Sequence, residues 1–235
     1  MSPKKKTSRN NSRVSTRTKW IRSRWAELAL AALMLAGFGL RMIDLTDPPL
    51  DFHPTRQFRG AVVARSIYYQ LVPSTDPYIQ QQAVSMRNSV SELEPPILET
   101  IVAFGYWIAG GEYLWIARII VSMIWVLAAI PLFALVRSFT SPPTALISVA
   151  YYLFLPFGVQ ASRSFQPDPL MVALLILGMF TAYRWSQTRT WSWVVWTGLV
   201  MGWAILIKAF AVYFTLGILL AAVVYSVSLR AALRD

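Results

Sequence analysis

Six mostly apolar stretches run along the chain, at 25–43, 113–136, 143–161, 169–185, 191–208 and 209–229. Each approaches the roughly 20 residues that a helix needs to cross a bilayer. A shorter apolar stretch, 97–110, carries Glu99 and runs into Gly110 and Gly111. Ahead of it, residues 56–72 place Phe58, Val62, Ile67 and Leu71 at helical spacing, which predicts an amphipathic helix. Charge decides how the short stretch counts. If 97–110 crossed the bilayer, Arg137, Arg184, Arg189, Arg230 and Arg234 would all lie outside. If it lies in the outer interface, all of them are cytoplasmic, as the positive-inside rule asks. Its face is then made by Ile97, Ile101, Val102, Phe104 and Ile108. The pattern therefore predicts an all-α, polytopic membrane protein with about six transmembrane helices, both termini inside, and interfacial amphipathic helices in the first outer loop.

Composition agrees. Hydrophobic residues make up 56% of the chain and charged ones 14%, whereas a soluble domain carries about a quarter charged. Cysteine is absent, which excludes disulfides, thiol nucleophiles and Cys-bound zinc; with His53 as the sole histidine, a multi-His metal centre is excluded too. The net charge of +11 is concentrated at the start, where residues 1–24 hold nine basic side chains and no acid. That segment, poor in apolar residues, is expected to be a disordered cytoplasmic tail. It has no aromatic interleaving or recognisable nucleic-acid module, so it is read as the anchor of a signal-anchor segment and no nucleic-acid partner is expected. The membrane domain is placed at 25–229, with an outer loop at 44–112 and a short cytoplasmic end at 230–235.

Seven of the 11 acids (Asp44, Asp47, Asp51, Asp76, Glu92, Glu94, Glu99) lie between residues 44 and 99. The topology brings them to one membrane face with the 162–169 loop and Lys208. Pro48, Pro49 and Pro54 hold Asp51 and His53 in a rigid turn. Arg56, Arg59 and Arg65 follow on the 56–72 helix, as phosphate ligands or as snorkelling anchors. Glu94 opens the next helix ahead of Pro95-Pro96. Asp168 sits between prolines at the mouth of the fourth span, where it either caps a helix or belongs to a site. Lys208 closes the fifth span with no acid adjacent in sequence, and Arg118 lies about one turn inside the second. Phosphate-cradling glycine motifs and H-E-x-x-H are absent, and no transporter-like repeat is present.

In chain order these residues form a recognisable series: a basic start and one span, an acidic outer loop, Glu-Pro-Pro (94–96), Trp-Ile-Ala-Arg (115–118), Ser-Arg-Ser-Phe-Gln-Pro-Asp-Pro (162–169) and Leu-Ile-Lys (206–208). Over residues 25–229 the chain resembles the C-type integral-membrane glycosyltransferases, most nearly the group of bacterial protein O-mannosyltransferases and lipid A aminoarabinose transferases. The resemblance implies inverting transfer of a sugar from a polyprenyl-phosphate donor to a glycan, lipid or protein acceptor outside the cytoplasm, in the cell (inner) membrane. It makes Asp51 the general base, with His53 and Asp168 as further catalytic candidates. Arg56, Arg59, Arg118 and Lys208 are the candidate ligands of the donor phosphate. Asp51, Glu94 and Asp168 are candidate ligands of a divalent metal ion, whose use is left open. The chain departs from the family in offering Asp-Phe-His where an Asp-Glu or Asp-x-Asp pair is usual. Family members continue further, so the resemblance also implies a missing C-terminal part or a second chain that supplies it. A non-catalytic membrane component that binds polyprenyl phosphate or scaffolds a partner is the competing reading.

Overall fold

The computed structural model describes residues 8–73, 76–91 and 94–226, with side chains from Arg24 onward. The expected cytoplasmic end at 230–235 and Glu92 lie outside the described residues. Helix α1 (Ser8–Arg41) is 34 residues long. It starts inside the basic segment, where the sequence alone predicts a disordered tail. Lys and Arg are good helix formers, and the apolar half of α1 supplies a ladder that they extend without a new nucleus.

After an irregular turn come α2 (Pro54–Leu71), α3 (Pro77–Asn88) and α4 (Ile97–Ala109). Helix α3 has no counterpart in the sequence expectation; the Asp76 carboxylate starts it by accepting from the Tyr78 N–H at 2.9 Å. Helices α5 (Leu114–Leu127) and α6 (Ala129–Phe139) form one rod of 26 residues. Their seam lies where Pro131 offers no N–H to the Leu127 carbonyl. Helices α7 (Pro142–Phe154) and α8 (Pro156–Arg163) meet at a 58° bend, because Leu155 precedes a proline and is pushed to an extended conformation. Helices α9 (Asp168–Thr188), α10 (Trp191–Ile207) and α11 (Ala211–Ser226) complete the fold.

The protein is an all-helical membrane protein. The α5–α6 rod and α9 are long and apolar enough to cross a bilayer, and the bent α7–α8 pair makes a third if it is one span. Helices α4, α10 and α11 are apolar but have only 13, 17 and 16 residues. At 1.5 Å per residue, the longest of these reaches about 25 Å, short of a hydrocarbon core of roughly 30 Å. Helix length thus supports two or three of the six expected spans. Large apolar side chains such as Ile147, Tyr151, Trp191, Leu216 and Leu220 face outward, a surface that lipid covers and water would not.

Three apolar clusters hold the helices together. Tyr68, Leu98, Val102, Tyr106, Ile116 and Val121 join α2, α4 and α5. Leu30, Trp125, Phe133, Val149 and Leu153 join α1 to the α5–α6 rod and α7. Met171, Leu175, Met201 and Ile207 join α9 to α10. The buried face of α4 is Leu98, Val102, Ala103 and Tyr106, whereas Ile101, Phe104 and Ile108, expected on its apolar face, point outward. Helix α4 is apolar all round, so periodicity was ambiguous about which side packs on protein. Gly105 lies where α4 meets α5: a Cβ there would stand 2.8 Å from Ile116 Cγ2, whereas at Gly39 it would meet nothing. Ile116 is β-branched and stiff. Gly105→Ala is therefore expected to cost about 1–3 kcal/mol by overpacking, with Gly39→Ala neutral or better. Thermal unfolding in detergent measures the difference.

Candidate active site

The turn between α1 and α2 is held by two arginines from distant helices. Arg118, on the first turn of the α5–α6 rod, donates from Nη1 to the carbonyls of Asp44 (2.8 Å) and Leu45 (3.2 Å) and from Nη2 to that of Pro48 (3.2 Å). Arg163, the last residue of α8, donates from Nη2 to the carbonyls of Ile43 (2.6 Å) and Asp44 (3.2 Å). Both side chains are buried. Asp44 and His53 adopt left-handed backbone conformations (φ 52° and 50°), strain that persists only where the surroundings dictate it.

This turn presents Asp51 to both arginines. Its Oδ1 lies 3.6 Å from Arg118 Nη2 and its Oδ2 4.0 Å from Arg163 Nε. Oδ1 also accepts from the Phe52 N–H (3.0 Å) and from Gln57 Nε2 (3.1 Å). Gln57, fully buried on the first turn of α2, also donates to the Phe52 carbonyl (2.8 Å) and accepts from the Phe165 N–H (3.1 Å). Gln166 adds a second donor to the Phe52 carbonyl at 3.2 Å. Burial pushes the Asp51 carboxyl up, but the hydrogen bonds from Gln57 and Phe52 and the charge of Arg118 outweigh it and hold the group below the usual carboxylate range. Asp51 is therefore ionised at neutral pH. Its side chain keeps 32% exposure and opens into a cavity of about 410 Å³, lined also by Asp44, Asp47, Arg118, Gln160 and Arg163.

The other predicted residues are placed elsewhere. His53 caps the start of α2 with its ring edge-on to Phe52 at 4.6 Å. Arg56 and Arg59 both pair with Glu94, at 3.8 and 3.3 Å, and neither lines the Asp51 cavity. Lys208, without an acid adjacent in sequence, is paired with Asp168: Nζ lies 2.6 Å from Oδ1. The Asp168 carboxylate accepts from Lys208 through Oδ1, and its Oδ2 is buried without a partner. The three carboxylates proposed as metal ligands thus face three different sets of cations. Among the described residues no group of three or more metal-ligating side chains forms, so Asp51, Glu94 and Asp168 do not fit a shared metal site.

Sequence reasoning missed the positioning roles of Gln57, Arg163 and Arg41. Arg41 ends α1 fully buried, with Nε donating to Ser162 Oγ (2.7 Å) and Nη1 to the carbonyls of Gly37 (2.7 Å) and Leu153 (3.0 Å). It ties α1 to both arms of the α7–α8 bend and so sets where Arg163 falls. The available signal was an arginine at each end of an apolar stretch, a costly placement unless the residue has protein partners.

A carboxylate beside two fixed guanidiniums suits reactions that remove a proton from one group and stabilise negative charge on another. The sequence profile of the dolichyl-phosphate-mannose-protein mannosyltransferase family matches residues 93–234, more than half of the chain. The chain belongs to this family. It is a membrane glycosyltransferase of the mannosyltransferase type. Glu94, Arg118, Asp168 and Lys208 fall within the matched residues, whereas Asp51, His53, Arg56 and Arg59 precede them. No curated protein and no solved structure matches the chain.

Proposed function

We propose that this mannosyltransferase-family protein moves a sugar from a polyprenyl-phosphate donor to an acceptor hydroxyl on the outer face of the cell membrane, with inversion at the anomeric carbon. The observation that supports this best is Asp51, an ionised and accessible carboxylate that lines a cavity beside two buried guanidiniums, 3.6 and 4.0 Å from it. The acceptor oxygen attacks the anomeric carbon as its proton passes to Asp51. The bond from that carbon to the phosphate oxygen breaks, and the phosphate leaves with the electron pair. Arg118 and Arg163 face the charge it carries, so the leaving group needs no general acid. Arg118 keeps its predicted role as a phosphate ligand, and Arg163 joins it. Arg56 and Arg59 serve as supports of the loop through Glu94, and Lys208 orients Asp168 at the start of α9. The six-span topology, with the Asp51 loop outside, belongs to this same reading.

The test is transfer of radiolabelled sugar from polyprenyl phosphate in membranes, with wild type beside Asp51→Asn; equal rates would reject Asp51 as the base. A pH profile adds a second check. A carboxyl held below the ordinary value of 3.8 stays ionised above that value, so the activity that depends on it is present at neutral pH and lost only as pH falls through the lowered value. The rate is expected to be flat from neutrality down to about pH 5. An acid limb near neutrality would assign the base to another group.

A further inference from the structure

We propose that a second cavity, alongside α2, is a saccharide-binding site. It measures about 340 Å³ and is lined by Phe58, Val62, Arg65, Met86, Tyr106 and Glu112, from α2, α3, α4 and the segment before α5. Its volume falls in the range of small-molecule pockets, roughly 300–1,000 Å³. One of its donors is buried without an acceptor, and a second is held only by an ion pair. The Tyr106 hydroxyl has no hydrogen-bond partner, although the residue is 1% exposed. Arg65 Nε lies 2.9 Å from Glu112 Oε2 as an ion pair, yet is not aligned to donate to it and has no other acceptor. Burial, with the Glu112 charge behind it, raises the Tyr106 phenol above its ordinary value, so it remains a donor at any physiological pH. Native proteins rarely leave such groups unmatched.

The lining specifies the ligand. The Arg65–Glu112 pair cancels its own charge, which favours a neutral molecule. That molecule must offer acceptor oxygens to Tyr106 and Arg65, donors to Glu112, and apolar surface to Phe58, Val62 and Met86. A pyranose ring supplies all three, since each hydroxyl both donates and accepts and the ring C–H groups form apolar faces. A peptide also offers carbonyls to the donors and N–H groups to Glu112, but a pyranose presents several hydroxyls and an apolar face on one rigid ring that fits a cavity of this size. Position connects the cavity to the reaction. Ala61 and Leu114 line both this cavity and a small pocket of about 10 Å³. Arg118 and Asp47 line that pocket and the Asp51 cavity as well. The site is thus placed to hold one sugar unit of a glycan acceptor while another approaches Asp51. That acceptor role rests on the proposed function; saccharide binding itself does not.

Saturation-transfer NMR tests the binding, using the full chain in nanodiscs with methyl α-mannoside as the probe. Wild type and Asp51→Asn should both transfer saturation to the sugar. Tyr106→Phe, which deletes one oxygen, and Glu112→Gln, at a partly exposed position, should each weaken binding about tenfold, the scale of one or two hydrogen bonds. If either variant fails to fold, the other carries the test. Absence of signal in wild type, or undiminished signal in the folded variants, overturns the proposal. So does loss of signal in Asp51→Asn alone, which would put the sugar in the Asp51 cavity. A Tyr106-dependent signal from N-acetyl-Ala-Ser-Ala-amide without one from the sugar would assign the site to peptide instead. Saccharide binding retained in a chain that transfers no sugar would sink the enzymatic reading and leave this one standing.

Discussion

Asp51→Asn is expected to lower sugar transfer by about 10²–10⁴-fold, the usual contribution of a general base, while the protein still inserts and folds. The substitution is conservative in shape. An asparagine side chain retains an oxygen that accepts from the Phe52 N–H and from Gln57 Nε2, now 3.0 and 3.1 Å from Asp51 Oδ1. Arg118 retains its three backbone carbonyls and Arg163 its two, so the turn keeps its main supports. With side-chain exposure of 32%, the lost ion pairs should cost no more than about 1 kcal/mol of stability. What disappears is the ability to take a proton. Asp51→Glu restores that ability but displaces the carboxyl by one methylene, and should recover only part of the rate. Transfer measured against protein level in membranes separates these outcomes. A large fall in both rate and melting temperature would show that Asp51 acts through the fold.

The largest effect on stability is expected at Arg118. Arg118→Met keeps most of the side-chain volume but takes one donor from each of the Asp44, Leu45 and Pro48 carbonyls and leaves Asp51 with one cation fewer; the Asp44 carbonyl keeps Arg163 and the Pro48 carbonyl keeps the Leu50 N–H. Removing one partner of a buried, hydrogen-bonded charge costs about 3–5 kcal/mol. For a chain of this size that is roughly 6–20 °C in melting temperature. Arg118→Lys should recover little, because an ammonium on a flexible stem does not reproduce a planar fork that reaches three carbonyls and a carboxylate at once. Arg56→Met is the contrast: Arg56 is exposed and its ion pair to Glu94 is 3.8 Å long, so its loss should fall within about 0.5 kcal/mol. Thermal unfolding of the three variants in one detergent measures this. Equal melting of Arg118→Met and wild type would mean that the turn is held by something other than Arg118.

The helical architecture was legible in the sequence because it is written in local patterns. Apolar runs mark α5–α6, α9, α10 and α11. The shorter run at 97–110 became α4, and the spacing of Phe58 and Val62 announced α2, found at Pro54–Leu71. Leu155-Pro156 contained the break between α7 and α8, although the sequence expectation treated 143–161 as one span. Asp51 and Arg118 were both singled out, but not as neighbours, and the pairing of Lys208 with Asp168 spans 40 residues. Such pairings depend on how helices pack, which no local window contains. The role of Arg163 was hidden for the same reason. It lies in a conspicuous motif, yet what it grips is the backbone at Ile43 and Asp44, 120 and 119 residues away, and a backbone carbonyl leaves no trace in residue identity.

Arg41 bears on how the protein is made. Its side-chain partners at Leu153 and Ser162 are translated 112 and 121 residues after it, and at about 5–20 residues per second that is an interval of many seconds. During that time the end of α1 carries a guanidinium with no late-made partner in a nascent chain already meeting lipid. A long cationic side chain in that position rests at the headgroup level. The first helix therefore waits at the interface, and its final docking is coupled to the arrival of the α7–α8 bend.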